Sequence, residues 1–179
     1  MAEKKVKLRY GENPSQKAYL IKKNNKTFFD SQIQGKPISY NNILDINSGL
    51  DFLNEFKEPT ATIIKHNNAC GIASSSNIKE AFKKALSSDS KSAFGGVLLI
   101  NRKFTKKISE ITSKLFFEVI VAPGFDLQSK MIYKNKKKII LIDSSNIIKN
   151  EDYITRSIRG GLIKQERDKN KINKNTFKF

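Results

Sequence analysis

Several residue types are scarce in this chain of 179 residues. It has no tryptophan, one cysteine, one histidine and two methionines. A single cysteine excludes an internal disulfide, which fits a reducing compartment. No run of 18 apolar residues occurs, and the first residues are polar rather than an apolar signal core. The sequence therefore predicts a cytoplasmic protein that makes no use of a membrane.

Acidic side chains are also scarce. The chain has 17 acidic and 34 basic side chains, so its formal net charge is +17. An excess of lysine and arginine favours nucleic-acid binding, because these residues neutralise phosphates. Only five of the basic residues are arginines, the type preferred for bidentate phosphate contacts, and no aromatic platform lies among them. We expect a lysine-rich solubilising surface and no nucleic-acid partner, with a basic nucleic-acid-binding module as the alternative.

Hydrophobic periodicity predicts strands and helices in alternation. Helices are predicted over residues 42–56, from an N-cap at Asn77 onward, around 104–115 and over 127–133, and strands over 61–64, 94–100, 119–122 and 138–143. This order predicts an α/β fold, a three-layer sandwich with a mixed, largely parallel sheet. Residues 1–150 are expected to form one domain. A polar linker from 144 to 152 leads into 151–179, whose lysine- and asparagine-rich end is expected to be a truncated second domain.

The segment 62–71 carries the histidine and the cysteine of the chain. Lys65 and His66 directly follow a buried apolar strand, and α/β proteins commonly place their chemistry at strand ends. Histidine accepts a proton near neutral pH, and lysine stabilises a developing negative charge. The pair is thus a candidate for proton removal from a weak nucleophile. The alternative is a histidine that caps a loop, next to a lysine that extends into solvent.

A metal site, a cysteine nucleophile and a glycine-rich phosphate site were also considered. A zinc site needs three or four ligands, so His66 and Cys70 would require carboxylates such as Asp45 or Glu118, and no metal is expected. Cys70 is interpreted as a small apolar residue rather than a nucleophile. The paired glycines at 95 and 96 are typical of close backbone approach to a phosphate and of close packing against a helix, and both interpretations stay open.

Six ordered segments together resemble one family, the transformylase domain of the bifunctional purine biosynthesis proteins. They are LRYGENPSQ at 8–16, QGKPISYNN at 34–42, KHNNACG at 65–71, DSKSAFGG at 89–96, EVIVAP at 118–123 and GGL at 160–162. The resemblance implies formyl transfer from 10-formyltetrahydrofolate to the 5-amino group of aminoimidazole carboxamide ribonucleotide. A separate IMP cyclohydrolase domain of such enzymes then closes the ring.

The resemblance also assigns roles to residues. His66 is implied as the base and Lys65 as the cation that stabilises charge on the formyl oxygen or the departing folate nitrogen. The implied nucleotide contacts are Arg9, Tyr10, Asn42, Gly95 and Glu118. A cytidine-deaminase-like fold and an active site formed across a homodimer are implied as well.

The chain departs from the family pattern at Ala69, where the family usually has proline, and this change is expected to loosen the turn after the catalytic pair. We expect the chain to be the N-terminal half of the transformylase, with the folate residues in the other half, and to have little or no activity alone. A non-catalytic fragment that binds the nucleotide or mediates dimerisation is the alternative.

Overall fold

The computed structural model describes residues 4–22, 30–147 and 152–168. Residues 4–22 and 30–147 belong to one compact unit, and 152–168 belong to a second. The predicted linker is described only in part: residues Ser144–Asn146 form a 3-10 turn, and 148–151 lie outside the described residues, as does the lysine- and asparagine-rich end from 169 onward. The assignment of the two parts as transformylase subdomains stays a prediction.

The described residues of the first unit form eight strands and four helices. In chain order they are β1 (Lys4–Lys7), β2 (Tyr19–Lys22), β3 (Gln32–Gln34), α1 (Tyr40–Asn54), β4 (Thr60–Lys65), β5 (Asn68–Ser74), α2 (Ile78–Ser88), β6 (Val97–Ile100), α3 (Lys106–Thr112), β7 (Val119–Ala122), α4 (Leu127–Tyr133) and β8 (Ile140–Asp143). No helix in the described part of the chain is long and apolar enough to cross a lipid bilayer.

Six of these strands form one mixed sheet in the order β3-β8-β7-β6-β4-β5. Only β6–β7 and β7–β8 pair in parallel, whereas β3–β8, β4–β5 and β4–β6 are antiparallel. The prediction of a largely parallel sheet is therefore wrong. The physical reason is β5, a strand that the sequence did not predict. It folds back on β4 as a hairpin, so that the chain enters β6 running against β4.

Helices cover both faces of this sheet. Ile46 and Leu53 of α1 pack against Ile64, Val97 and Val119 on one face. On the other face, the apolar side chains of α2, α3 and α4 pack against the alternate strand residues, among them Ala61, Ile63, Leu98 and Ile120. The α/β prediction and its flanking helices are confirmed, and the four inner strand segments are buried on both faces as their continuous apolar runs predicted. The cytidine-deaminase-like assignment stays a prediction.

The N-terminus of α2 follows its capping signal. The Asn77 side chain accepts the Glu80 N–H at 3.0 Å, as the spacing of these residues predicted. Helix α3 is shorter than its apolar stripe indicated, because Phe104 lies before the helix and forms a bridge with Phe125. The apolar period thus continued into a segment that packs in the core without being helical.

Strand β5 and helix α2 lie unusually close together at Gly71. A Cβ atom on Gly71 would stand 1.9 Å from the carbonyl oxygen of Ala85 in α2. Only a residue without a side chain fits between this strand and the helix backbone. The glycine of the KHNNACG segment is therefore explained by packing.

Tyr133 joins α4 to α3 inside the core. Its side chain is 1% exposed, and its hydroxyl donates to Thr112 Oγ1 at 2.9 Å. Burial raises the pKa of Tyr133 to about 12 from the ordinary value of 10.0. A buried phenol of this kind stays protonated in the folded chain at a pH where the unfolded chain would already lose the proton.

This difference predicts an alkaline loss of stability. Between pH 10 and about 12 the folded state binds more protons at Tyr133 than the unfolded state, so the free energy of unfolding falls as the pH rises. In Tyr133→Phe we expect a cost of about 1 kcal/mol at pH 7 from the lost hydrogen bond, but a shallower decline above pH 10. Urea unfolding of both proteins followed by circular dichroism at pH 7 and pH 11 measures this, and equal declines would contradict it.

Two antiparallel ribbons lie outside the large sheet. Strands β1 and β2 pair with each other and are joined by the loop 8–18. The first twenty residues were expected to form an extended segment with a turn, and residues 4–22 form a two-stranded ribbon with a loop. In the second unit, β9 (Tyr153–Ile158) and β10 (Gly161–Glu166) form a hairpin in which the Lys164 ammonium lies 4.5 Å from the centre of the Tyr153 ring. Structure was expected to resume in this stretch, and it does so as a hairpin.

Candidate functional site

Three segments named by the sequence meet at one edge of the large sheet. The pairing of β4 with β6 and of β6 with β7 aligns Ile64, Val97 and Val119 across three strands. Lys65 follows the first of these, Gly96 precedes the second, and Glu118 precedes the third. The Glu118 N–H donates to the Gly96 carbonyl at 2.9 Å. This edge therefore gathers the end of β4 and the beginnings of β6 and β7.

Lys65 is the last residue of β4, and His66 and Asn67 form the two-residue turn that follows it. His66 has φ of 53° and Asn67 has φ of 64°, so both adopt the left-handed conformation that a tight hairpin turn of this hand requires. The Lys65 ammonium donates to the Phe94 carbonyl at 2.8 Å. The Asn68 side chain donates to the His66 carbonyl at 3.1 Å. Because of the turn, Lys65 and His66 line the same depression, as the sequence analysis predicted for residues at a strand end.

Helix α1 holds this turn from the neighbouring layer. Asp45, 8% exposed, accepts the Asn67 N–H on Oδ1 at 2.6 Å, and the Ser48 hydroxyl hydrogen-bonds the Asn67 side chain. Burial raises the pKa of the Asp45 carboxyl, although the Asn67 hydrogen bond and the adjacent imidazole of His66 oppose that shift. Sequence reasoning considered Asp45 only as a metal ligand and missed this contact.

Asn42 lies three residues before Asp45 on the same helix and is 3% exposed. It forms a capping box with Ser39: the Ser39 N–H donates to Asn42 Oδ1 at 3.3 Å, and the Asn42 N–H donates to Ser39 Oγ at 3.2 Å. The cap fixes the side-chain oxygen of Asn42. The cap does not use the N–H groups of the Asn42 side chain, so these remain as possible donors.

Gly95 and Gly96 have different reasons to be glycine. Gly95 has φ of +74° and donates its N–H to the Phe116 carbonyl at 2.8 Å. A Cβ on Gly96 would lie 2.9 Å from the Ile64 carbonyl oxygen. Close packing thus explains Gly96, whereas Gly95 is glycine because of its positive φ, and a Cβ there would only touch the Phe116 ring at 3.8 Å.

Glu118 is half-buried and paired with a lysine that sequence reasoning did not single out. Lys36 Nζ lies 2.5 Å from Glu118 Oε1, and the two side chains are 44% and 31% exposed. Pairs this exposed contribute little to stability. Separating Lys36 from the Glu118 carboxylate would therefore cost little stability.

Arg9 and Tyr10 lie in the loop between β1 and β2. The Arg9 guanidinium stands 5.5 Å from the centre of the Tyr10 ring. The loop is closed by the Gly11 N–H, which donates to the Gln16 carbonyl at 2.8 Å. The Asn41 side chain donates to the Glu12 carbonyl at 3.2 Å, which ties the loop to the first turn of α1. The structure thus brings this loop to the helix end that carries Asn42, whereas among the hydrogen bonds and ion pairs of the described residues none joins Arg9 or Tyr10 to His66.

An open depression of about 440 Å³ adjoins Lys65 and His66. Its lining includes Lys65, His66, Asn68, Cys70, Asp89 and Ser92. Its volume is in the range of small-ligand sites. The Asp89 carboxylate accepts the Ser92 N–H at 2.9 Å, and hydrogen bonds from Ser92 lower the pKa of Asp89.

Cys70 is a poor nucleophile in this setting. Burial raises the pKa of its thiol, and the negative charge of Asp89 adds to that effect. The thiol form therefore dominates at neutral pH. Within the described residues no group of three histidine, cysteine or carboxylate side chains is placed to hold a metal ion.

Asp45 had a signal in the sequence. The buried face of α1 consists of Asn42, Asp45, Ile46, Gly49 and Leu53, at helical spacing. Polar side chains on a helix face that is otherwise buried need hydrogen-bond partners. The backbone of a turn at the end of a strand can supply such a partner, as Asn67 does for Asp45.

The chain is similar to known proteins of one family. The sequence profile of the family described as AICARFT/IMPCHase bienzyme matches residues 1–179. Proteins named "Bifunctional purine biosynthesis protein PurH" are similar over most of the chain. The one from Caldicellulosiruptor saccharolyticus is 41% identical over 93% of this chain, the one from Bacteroides thetaiotaomicron 45% over 91%, and the one from Staphylococcus carnosus 36% over 98%.

The chain spans about a third of the length of these relatives: 34%, 32% and 36% respectively. The profile match nevertheless extends over all 179 residues and includes every segment that builds the edge of the sheet. This chain belongs to the AICARFT/IMPCHase bienzyme family.

Proposed function

We propose that this chain supplies the proton-transfer and nucleotide-binding part of a site that moves a formyl group from 10-formyltetrahydrofolate to the 5-amino group of aminoimidazole carboxamide ribonucleotide. The observation that carries the proposal is the convergence of Lys65, His66, Gly95 and Glu118 at one edge of the sheet. Asn42 lies on the helix that holds the His66 turn. The family and the names of the relatives support this reaction class.

The reaction needs a base because the amine is a poor nucleophile. Its lone pair is drawn into the imidazole ring and the carboxamide. As the amine nitrogen attacks the formyl carbon, His66 takes the proton that the nitrogen loses. The bond from the formyl carbon to the folate nitrogen then breaks, the electron pair leaves with that nitrogen, and a proton completes tetrahydrofolate. Lys65, held by the Phe94 carbonyl, stabilises the negative charge that develops on the formyl oxygen or the leaving nitrogen.

The nucleotide contacts follow from the chemistry of the side chains. Arg9 suits the phosphate, because a guanidinium binds phosphate oxygens in a bidentate manner. Glu118 accepts hydrogen bonds from hydroxyl groups once it exchanges Lys36 for the ligand. Asn42 offers its amide donors, and Gly95, which has no side chain, lets a ligand approach the backbone of its turn. Tyr10 adds an aromatic face next to Arg9.

The folate residues are proposed to come from the part of the relatives' length that the chain does not match. A homodimer is proposed for the complete enzyme in the cytoplasm. Little or no turnover is therefore expected from the 179-residue chain alone.

A formyl-transfer assay tests this proposal. The chain is assayed alone and after addition of polypeptides that correspond to the unmatched segments of the Caldicellulosiruptor saccharolyticus relative. We expect turnover only in the mixture, because the chain holds only part of the site. Turnover by the chain alone at the rate of a complete enzyme would contradict the division of the site.

Calorimetric titration separates the alternatives. The proposal expects the chain to bind the ribonucleotide, with Glu118→Ala weakening that binding. A nucleic-acid-binding module would instead bind duplex DNA with an affinity that falls linearly in log units with salt concentration, when tested at two salt concentrations. Ribonucleotide binding with no turnover in any mixture would support a non-catalytic fragment and count against the formyl transfer.

A further inference from the structure

The turn that carries His66 has an unfavourable backbone conformation. Two successive residues with side chains have positive φ, at His66 and Asn67. For residues other than glycine the left-handed region costs about 1–2 kcal/mol each, less for asparagine. The ladder of β4 and β5 also shifts register between Ile63 and Ile64, immediately before the turn. Strand pairing alone therefore leaves the direction of the His66 side chain weakly determined.

Helix α1 supplies the missing constraint. Asp45 and Ser48 lie three residues apart, and both contact Asn67, one at its backbone N–H and the other at its side chain. The 2.6 Å contact from Asp45 is a charge-assisted hydrogen bond, which is about twice as strong as a neutral one. The helix itself is anchored by Ile46 and Leu53 in the core. The turn is thus fixed to a rigid element of another layer.

The burial of Asp45 argues against a purely structural carboxylate. A carboxyl group 8% exposed loses hydration that hydrogen bonds from the turn restore only in part, which is why burial is the largest effect on its pKa. An apolar or small residue would fill the same helix position at lower cost to folding. We therefore attribute the presence of a carboxylate at this position to its hydrogen bond with the backbone of the turn, which fixes the turn conformation.

We propose that Asp45 is a positioning residue: by accepting the Asn67 N–H it holds the left-handed turn that presents His66 to the substrate. This inference rests on the proposed function for the identity of the substrate, but the holding of the turn is independent of it. Because α1 also carries Asn42, one helix sets the spacing between the base and a nucleotide contact.

The first arm of the test uses the full 179-residue chain and nuclear magnetic resonance. His66 is the only histidine, so one imidazole signal reports its surroundings without ambiguity. We compare Asp45→Ala, which removes the acceptor, with Asp45→Asn, which keeps an oxygen at the same place. Thr112→Ala serves as the matched control, because it breaks a buried hydrogen bond to Tyr133 in the α3–α4 layer.

In Asp45→Ala we expect the Asn67 amide to exchange at least about 10-fold faster relative to the core amides of β4, with a displaced imidazole signal. Asp45→Asn should change the Asn67 exchange rate and the imidazole signal only slightly. Thr112→Ala should leave the exchange rate and the signal unchanged. An unaltered Asn67 exchange rate and imidazole signal in Asp45→Ala would overturn the inference. If Asp45→Ala fails to fold, Asp45→Asn combined with Asn67→Gly decides: glycine adopts positive φ without a Cβ penalty, so it should restore the imidazole signal wherever Asp45→Asn disturbs it.

The second arm measures formyl transfer in the mixture of the chain with the segments of the relative. We expect Asp45→Ala to lower kcat about 10-fold through misplacement of the base, with less than a threefold change in the ribonucleotide KM, and Asp45→Asn to recover most of the loss. An unchanged kcat alongside altered exchange would overturn the role in catalysis. Absence of turnover with the unsubstituted chain counts against the proposed function, and the first arm then decides on Asp45 alone.

Discussion

Replacing His66 with alanine in the complete enzyme is expected to lower kcat for formyl transfer by about 100-fold or more, the scale on which a general base contributes. The amine is too weak a nucleophile to attack while it keeps its proton, and no other histidine is present in the chain to replace the base. The ribonucleotide KM should change little, because the proposed nucleotide contacts lie on other segments. Steady-state kinetics in the mixture of the chain with the segments of the relative measures both quantities.

The backbone of His66 calls for a matched variant. Alanine at φ of 53° loses both the imidazole and a favourable backbone fit, whereas asparagine tolerates the left-handed conformation and lacks a base. His66→Asn should therefore lose activity as fully as His66→Ala. Lys79→Ala, an exposed change on α2, should leave kcat unaltered. A loss below about threefold in both His66 variants would exclude His66 as the base.

Gly71→Ala is expected to destabilise the first unit by about 3 kcal/mol or more, at the upper end of the usual cost of overpacking. The added methyl would stand 1.9 Å from the Ala85 carbonyl oxygen and 2.9 Å from its carbonyl carbon, both in the backbone of α2. A backbone has no alternative rotamer, so α2 must move away from β5. Separation of these elements would also loosen the fully buried Phe82. Urea unfolding followed by circular dichroism measures the change.

The same substitution at Gly161 is the control. No atom lies within 4 Å of a Cβ built there, so Gly161→Ala should change the urea midpoint little or raise it slightly. If Gly71→Ala left the midpoint of the first unit where it was, the close approach of α2 and β5 would not limit stability.

The parts of the fold that the sequence predicted are those that local pattern determines. The runs that became β6, β7 and β8 are continuous and apolar, and the capping pair of Asn77 with Glu80 marked the start of α2. At the site, the position of Lys65 and His66 directly after a buried apolar run was enough to name them as a pair, and their chemical roles stay a proposal. These features depend on residues close together in the chain.

What the sequence did not predict depends on residues far apart in the chain. Strand β5 begins with Asn68-Ala69-Cys70-Gly71, residues with weak β propensity that a turn would equally accept. Its pairing with β4 and its packing under α2 make it a strand, and this tertiary effect reverses the direction of the later strands relative to β4. The contact of Asp45 with Asn67 spans 22 residues and the ion pair of Lys36 with Glu118 spans 82, so neither has a local pattern.

The location of His66 at the end of β4 determines the order in which the site comes apart. Strand β4 lies between β5 and β6 with five of its six residues buried, and such strands open only when the whole unit unfolds. Arg9 and Tyr10 instead extend from a ribbon of two short strands, a type of element that is marginally stable by itself. As denaturant rises, the proposed phosphate contact at Arg9 should therefore be lost first, while Lys65 and the proposed base next to it stay in place until global unfolding. Affinity for the nucleotide would then decline at lower denaturant concentrations than the secondary structure does.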